Sequence, residues 1–333
     1  MTSRIARVSV IVPMRDAAAH LAPLVRDIAA QDFPGDLEVL VADGNSTDGS
    51  AALLRSAADG HDLNLRVIDN PAGWVSPGLN ACIREARGNL IVRMDCHTRY
   101  PADYIRRCAE VAEATGAWNV GGQVVPEGVT ATERAVAIAM DSPFGGIGWT
   151  RVADSTEPVE VDTVTFGAFS PEAFERAGLF DETLVRNQDD ELNFRLRRAG
   201  GRIVLDPTIV VRYRPRGSLR GVWKQYHAYG YWKAVVMRKH REVLSARSMA
   251  PFGLVTSCLS LTLAAPCSRW ARRALAAEMV AYGSGALVFG LRGLRRREES
   301  LTLLPRVIGA FAAFHLGHGS GMAQGWVDAL RTR

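Results

Sequence analysis

Several side chains in this sequence have the type and spacing for chemistry on an anionic, oxygen-rich substrate. Asp43, Asp69 and Asp95 each close a short apolar run, and Asp48 lies just behind the first of them. His97 follows Asp95 by two positions, so a carboxylate and an imidazole can reach one point, a donor pair that suits Mg²⁺ or Mn²⁺. Gln188, Asp189, Asp190 and Glu191 open an amphipathic segment. A carboxylate placed there can act as a general base, although acids at a helix start are also expected from the macrodipole alone. Further on, Gln225, Tyr229, Trp232 and Lys233 offer rings that can stack on a sugar and a cation that can meet phosphate. The same four also read as a core-facing aromatic stripe with a solvated basic face.

The hydrophobic pattern specifies the scaffold that must hold these groups. Residues 8–12, 37–42, 65–68 and 90–94 are short apolar runs, and the segments between them carry apolar residues at helical spacing, as in Leu21, Leu24, Val25 and Ile28. Four alternations of strand and helix within a hundred residues predict an α/β fold, a mostly parallel sheet with right-handed crossovers. Ligands of such a sheet bind outside the carboxyl ends of its strands, and that is the edge where Asp43, Asp69 and Asp95 fall. Ser46 or Asp48 is expected to cap the helix that follows. Beyond residue 100 the pattern predicts a helix through Thr115, strands at 118–124, 161–169, 203–206 and 209–213, and helices at 189–199 and 217–240. Residues 142–158, with Gly145, Gly146, Gly148 and Trp149, read as a mobile loop.

Composition narrows the class. With 333 residues, 47% hydrophobic and 23% charged, the chain is an ordinary globular protein rather than a disordered or collagen-like one. Five cysteines without a C-x-x-C pair indicate neither a zinc site nor a disulfide framework, and they fit a reducing compartment. The first residues run straight into a strand with no ordered leader pattern, which predicts a cytoplasmic catalytic body. No G-x-G-x-x-G or G-x-x-x-x-G-K-[ST] loop is present, so dinucleotide-dependent and P-loop chemistry drop out.

The net charge of +5 is unevenly spread. Residues 238–333 hold fourteen Arg or Lys against five acids, net +9, which leaves −4 for residues 1–237. The tail is also strongly apolar, so a membrane surface is the expected partner and nucleic acid is not. Residues 251–267 carry no charge and 274–291 only Glu278, while 307–317 is a shorter apolar run. These lengths are borderline for spanning, and arginines flank the second segment on both sides, contrary to a one-sided positive bias. A re-entrant hairpin or interfacial helices fit better than two clean spans. An ordinary helical subdomain is the alternative.

The segments VSVIVPMRDAAAHL, VLVADGNSTDGS, NLIVRMDCH and NQDDELNFRLRRAG resemble, in that order, the landmarks of family 2 glycosyltransferases with the GT-A fold, over about residues 5–235. The stretch VRMDCHTRYP is most similar to the bacterial succinoglycan glucosyltransferase-like subgroup, which also tends to carry an apolar C-terminal region. The resemblance implies a GT-A domain at 1–240 and a helical, membrane-associated region at 241–333. It implies inverting transfer of a sugar from a nucleotide-diphosphate donor, a UDP-sugar favoured, to a polyprenyl-linked or saccharide acceptor at the cytoplasmic face of the cell membrane. Pro13, Arg15, Asp43, Asp69, Asn80 and Asp95 then line the donor pocket, with Asp95 and His97 sharing the metal where the family usually has D-x-D. Asp189 takes the base position, with Asp190 as the alternative base, and Gln188 replaces the usual Glu. Gln225, Tyr229, Trp232 and Lys233 in KQYHAYGYWK loosely resemble the Q-x-x-R-W element of processive relatives, which implies acceptor and diphosphate contacts. Gly167 and Ala168 are small enough to let the acceptor approach the backbone. Gly73 and the pair Gly121-Gly122 are expected to border the site.

The departures at positions 97 and 188 motivate a second reading, a sugar-nucleotide-binding subunit without catalysis. A third keeps the chemistry but makes the enzyme a soluble glycosyltransferase with a small-molecule acceptor.

Overall fold

The computed structural model describes residues 5–146, 156–243 and 246–331. Gly148, Trp149 and the centre of the expected 142–158 loop lie outside these residues. The chain divides into two compact units, Met1–Val125 with Thr150–Tyr213 and Pro126–Trp149 with Arg214–Arg333.

The first unit is built on the sheet. Strands β1 (Arg7–Met14), β2 (Asp36–Asp43), β3 (Leu65–Asp69) and β4 (Leu90–Arg93) pair in parallel in the order β3-β2-β1-β4. Helices α1 (Ala18–Ala29), α2 (Ser50–Asp59) and α3 (Val75–Glu85) make the crossovers, as the alternation predicts. Val8, Val10, Val12, Val39, Val41 and Val92 face one core while Ile11, Leu40 and Ile91 face the other. Burial on both faces explains why these strands read as continuous apolar runs. The sheet continues through β8 (Ala168–Phe169), β6 (Asn119–Pro126), β9 (Ile203–Tyr213) and β5 (Thr98–Arg99), with β7 (Val159–Glu160) beside β9. Helices α4 (Tyr104–Thr115), α6 (Pro171–Ala177) and α7 (Gln188–Arg198) complete the unit.

Two expected elements differ. The strand foreseen at 161–169 is confined to Ala168–Phe169, because Phe166 adopts φ 56°, a left-handed conformation that breaks extension just before the pairing residues. The two strands foreseen around Pro207 are one strand of 11 residues. Asp206 takes up the amide and hydroxyl of Thr208 beside the proline. The glycines at 121, 122 and 167 are explained by packing rather than by access for a substrate. A methyl on Gly167 would lie 2.1 Å from Asn119 Oδ1, and one on Gly122 would lie 2.2 Å from the Ile209 carbonyl.

Helix α3 fixes the approach to α7. Asn80, 1% exposed, donates to the Phe180 carbonyl (2.8 Å) and Glu182 Oε1 (2.9 Å) and accepts from the Phe180 amide (3.0 Å). Ser76 donates to the Leu184 carbonyl, and the Trp74 indole donates to the Glu182 carbonyl. Residues 180–184 are thereby pinned to α3, and α7 begins four residues later.

The second unit is helical. It contains α5 (Ala131–Met140), α8 (Leu219–His240), α9 (Ala246–Ala264), α10 (Arg269–Arg296) and α11 (Leu304–Arg331), with a 3₁₀ turn at Leu301–Leu303. By contacts α8 groups with the C-terminal helices rather than with the sheet. Helix α5 was not foreseen, although Thr130 and Glu133 form the capping box that announces it. Helices α8 and α11 approach to backbone contact through glycines. A methyl on Gly321 would lie 1.9 Å from the His227 carbonyl, and one on Gly230 would lie 1.9 Å from the His318 carbonyl. Phe144 is set among the rings of Tyr282, Phe289, Phe311 and His315. Helix α9 buries no residue, and on α10 Trp270, Val280, Leu287 and Val288 are exposed. Helix α10 is, among the described residues, the one helix long and apolar enough to cross a membrane.

The Asn80→Ala variant strands the Phe180 amide in a buried place. It is expected to lose about 1–3 kcal/mol of stability in a denaturant titration and to become more sensitive to proteolysis within 178–187. Nucleotide affinity is expected to stay within about threefold, since the Asn80 side chain is engaged with the loop.

Candidate active site

The carboxyl ends of β1, β2, β3 and β4 meet at one edge, as the topology requires. Asp43 and Asp69 are register partners at the ends of β2 and β3, and Met14 at the end of β1 pairs with Asp43. Chain order reverses between β1 and β4, the kind of switch point at which α/β sheets bind ligands.

Three loops at this edge are laced together. The Asp16 amide donates to Ser46 Oγ (2.9 Å), the Thr47 amide to Asp16 Oδ1 (2.8 Å) and the Ala18 amide to Asp48 Oδ2 (2.9 Å). Asp48 also accepts from the Ser50 amide. Neither Ser46 nor Asp48 caps α2 as expected, since its N-cap is Gly49 in a left-handed conformation without a side-chain cap; Asp48 instead accepts from the first amides of both α1 and α2. Its hydrogen bonds, the one from the Ser50 hydroxyl foremost, hold its carboxyl below the usual range. Arg15 donates to the Gly73 carbonyl (3.0 Å) and is otherwise largely exposed. Gly73 needs its φ of 79° to turn there. Asp43 Oδ1 takes the Ser46 amide (3.1 Å).

After β4 the side chains alternate. Asp95 is half-buried, Cys96 is packed into the core and His97 is exposed, edge-on to His20 at 4.3 Å. Burial pushes the Cys96 thiol up to about 12, so it is a core residue and no thiolate ligand. Asp95 and His97 thus emerge on the accessible side with the buried cysteine between them.

The group that organises the site is Arg93, which sequence reasoning passed over. Its side chain is 4% exposed. Nε and Nη2 bind the two oxygens of Asp95 at 2.8 and 3.0 Å, and Nη1 binds Asp189 Oδ1. The signal was legible. An arginine closing the run Leu90, Ile91, Val92 is a buried charge that must find anions. Burial disfavours its charge, but Asp189 and Asp95 outweigh that and hold it protonated.

Asp189 thus sits in the first turn of α7 beside Asp95, 94 positions earlier in the chain. Loss of water around the carboxyl pushes its pKa up, although a quarter of its surface stays open; Arg93 opposes the shift, and Asp95 and Asp190 add to it. Among the described residues nothing hydrogen-bonds to Asp189 Oδ2. Asp190 is held differently: Thr163 donates to it (3.3 Å), and Asn193 links Thr163 to Asn119. Glu191, fully buried, is clamped by Arg195.

The structure therefore gathers Pro13, Arg15, Asp43, Asp69, Asp95, His97, Asp189 and Asp190 in the sheet unit, on the strand ends, the loops after them and the start of α7. Asn80 and Gly167 are spent on packing and loop support. Gln225, Trp232 and Lys233 lie on α8 in the second unit, where Gln225 donates to the Tyr229 hydroxyl (2.9 Å) and Lys233 is buried. No group of three or more metal-ligating side chains occurs among the described residues. Asp95 keeps a lone pair on each oxygen after the Arg93 fork, and with His97 it provides the hard and borderline donors that suit Mg²⁺ or Mn²⁺.

The sequence profile of Glycosyl transferase family 2 matches residues 9–183. The succinoglycan biosynthesis protein ExoA of Rhizobium meliloti is 30% identical over 275 residues, 80% of this chain and 83% of that protein. A dolichyl N-acetyl-α-D-glucosaminyl phosphate 3-β-D-2,3-diacetamido-2,3-dideoxy-β-D-glucuronosyltransferase of Methanococcus voltae is 24% identical over 77% of this chain and 81% of its own. Among solved structures, the mannosyltransferase PcManGT from Pyrobaculum calidifontis, in complex with GDP-Man and Mn²⁺, superposes with a TM-score of 0.62. It is 22% identical, over 95% of this chain and 88% of that one. TarS 1–349 of S. aureus in complex with UDP gives 0.51 at 15% identity, over 97% of this chain and 92% of its own. At these identities the structural likeness speaks for the fold, a GT-A domain. The profile match over more than half the chain and the long alignment to ExoA settle the family: this chain is a member of glycosyl transferase family 2.

Proposed function

We propose that the protein transfers a sugar, with inversion, from a nucleoside-diphosphate donor to a hydroxyl of a lipid-linked or saccharide acceptor in polysaccharide or glycolipid synthesis. The observation that carries this reading is the pairing of Asp95 and Asp189 on one buried guanidinium. It brings a donor-side carboxylate and a candidate base to the same edge of the sheet. The succinoglycan and dolichyl-phosphate-sugar assignments of the two relatives support the acceptor class.

In this reading Asp43, with one oxygen on the Ser46 amide, keeps the other for the N3–H of a uracil ring. Asp69 faces the base or ribose. Arg15, anchored on Gly73, presents its remaining N–H groups to the donor. Asp95 and His97 would hold Mg²⁺ or Mn²⁺, which when bound neutralises charge developing on the departing diphosphate. Asp189 takes the acceptor proton on Oδ2, as the attacking oxygen closes on the sugar carbon from the face opposite the leaving group. Its raised pKa makes it a stronger base than an ordinary aspartate. Asp190, committed to Thr163, supports the turn.

We also propose that residues 241–333 associate with the cytoplasmic face of the cell membrane, with residues 1–240 carrying the transfer chemistry. The exposed apolar faces of α9 and α10 favour this. Trp270, 63% exposed between Arg269 and Arg273, gives an amphipathic interfacial anchor.

Calorimetric titration with UDP and with GDP, each with and without Mn²⁺, tests the donor site. UDP is expected to bind only with the metal and to lose binding in Asp95→Ala; GDP binding instead would redirect the donor assignment. Asp189→Asn is expected to cut transfer by about 10²–10⁴-fold, the usual worth of a general base, with UDP affinity little changed. An unchanged rate would reject Asp189 as the base.

The pH profile gives a separate check. A carboxyl raised above the usual range is protonated at higher pH than an ordinary aspartate, so transfer should fall on the acid side from a higher starting pH. That limb should vanish from the residual activity of Asp189→Asn. For the membrane, the protein should sediment with anionic vesicles and resist extraction by high salt, whereas recovery in the supernatant without detergent would favour a soluble enzyme.

A further inference from the structure

The interaction at Arg93 goes further than bringing two carboxylates together. Its main chain is fixed at the end of β4, where its amide donates to the Gly167 carbonyl and the next amide to the Ile11 carbonyl, both at 3.0 Å. The Asp95 amide donates to the Tyr100 hydroxyl (2.7 Å), so the partner carboxylate is held from its own backbone as well. The guanidinium lies 5.8 Å from the centre of the Phe166 ring, and Tyr104 holds the Phe166 carbonyl. Phe166 is the residue forced into the left-handed region. The planar fork binds Asp95 through two nitrogens and Asp189 through the third.

On the other side α7 starts without a side-chain cap. Asn187 occupies the N-cap position in a left-handed conformation and makes no capping hydrogen bond. The side chains of the first turn of α7 are held by other segments: Asp189 by Arg93, Asp190 by Thr163 and Glu191 by Arg195. Both carboxylates keep oxygen lone pairs that the guanidinium does not use.

We infer that Arg93 is a positioning residue of the transfer reaction: without touching substrate, it sets the spacing between the donor-side carboxylate Asp95 and the acceptor base Asp189. This rests on the assignment of Asp189 as base. Lysine cannot replace it, because a point charge cannot hold two carboxylates in a fixed geometry.

The test is a double-mutant cycle on the full-length protein in detergent or vesicles. Arg93→Lys is expected to lower kcat for transfer by about 10²-fold, the scale of a misplaced catalytic group. The donor KM and the UDP affinity with Mn²⁺ should stay within about threefold. In an Asp189→Asn background the same change should cost little more, because the group it positions has gone. A kcat within threefold of wild type, an equal loss in nucleotide affinity, or full additivity with Asp189→Asn would each overturn the inference. Should Arg93→Lys not fold, Arg93→Ala supplemented with guanidinium is expected to recover transfer where methylammonium does not; equal recovery by both ions would overturn it. Failure of the base assignment is distinguishable, since Asp189→Asn alone would then leave transfer intact.

Discussion

A guanidinium that is almost wholly removed from water can persist only if anions come to it, and in this protein two do. Arg93 closes a strand of Leu, Ile and Val, and the charge there would be untenable if either Asp95 or Asp189 were elsewhere. Removing one partner of a buried ion pair typically costs about 3–5 kcal/mol. That cost constrains the fold well beyond the pair. The chain after β4 must turn so that Asp95 doubles back onto the residue two before it. The 95 residues between Arg93 and Asp189 must also return α7 to the same strand end.

The support for that return is distributed. Asn80, Ser76 and Trp74 hold residues 180–184, while Arg195 gathers the Glu191 carboxylate and the carbonyls of Ala177, Gly178 and Leu179. Asn119, Asn193 and Thr163 link the sheet to Asp190. The nucleotide side is built by the same means, with Asp16, Ser46, Thr47 and Asp48 joining loops that are about 30 residues apart in sequence. The site is a set of carboxylates whose positions are set by polar contacts to neighbouring loops.

Much of this was legible from the sequence because parallel strands buried on both faces leave an unambiguous apolar signature and end at the ligand edge. Asp43, Asp69 and Asp95 could be placed at one edge for that reason, the first two as register partners and Asp95 two residues past the end of β4. The order of the motifs identified the family, and the family's acidic pair, carried onto Gln188-Asp189, pointed to Asp189. What escaped depended on contacts between distant segments. Asn80 reads as a polar residue near the donor until Phe180 is seen to occupy both ends of its amide. Gly167 reads as room for a substrate until Asn119 is found beneath it. The 161–169 segment has strand composition throughout, and only the turn at Phe166 limits its pairing. Arg93 was the exception, since the cue was local and needed only the question of where a buried charge finds its partners.

Helix α11 places Gly317, Gly321 and Gly325 along one side against α8, while Gly319 meets α9, where a methyl would lie 2.2 Å from the Pro251 carbonyl. It is the post on which α8 and α9 lean. Removing α11 to obtain a smaller fragment would thus take away the support of α8 and uncover a strip of bare main chain. An internal excision of α9 and α10, with the ends rejoined by a flexible linker, would keep the α8–α11 pair and discard the most exposed apolar surface.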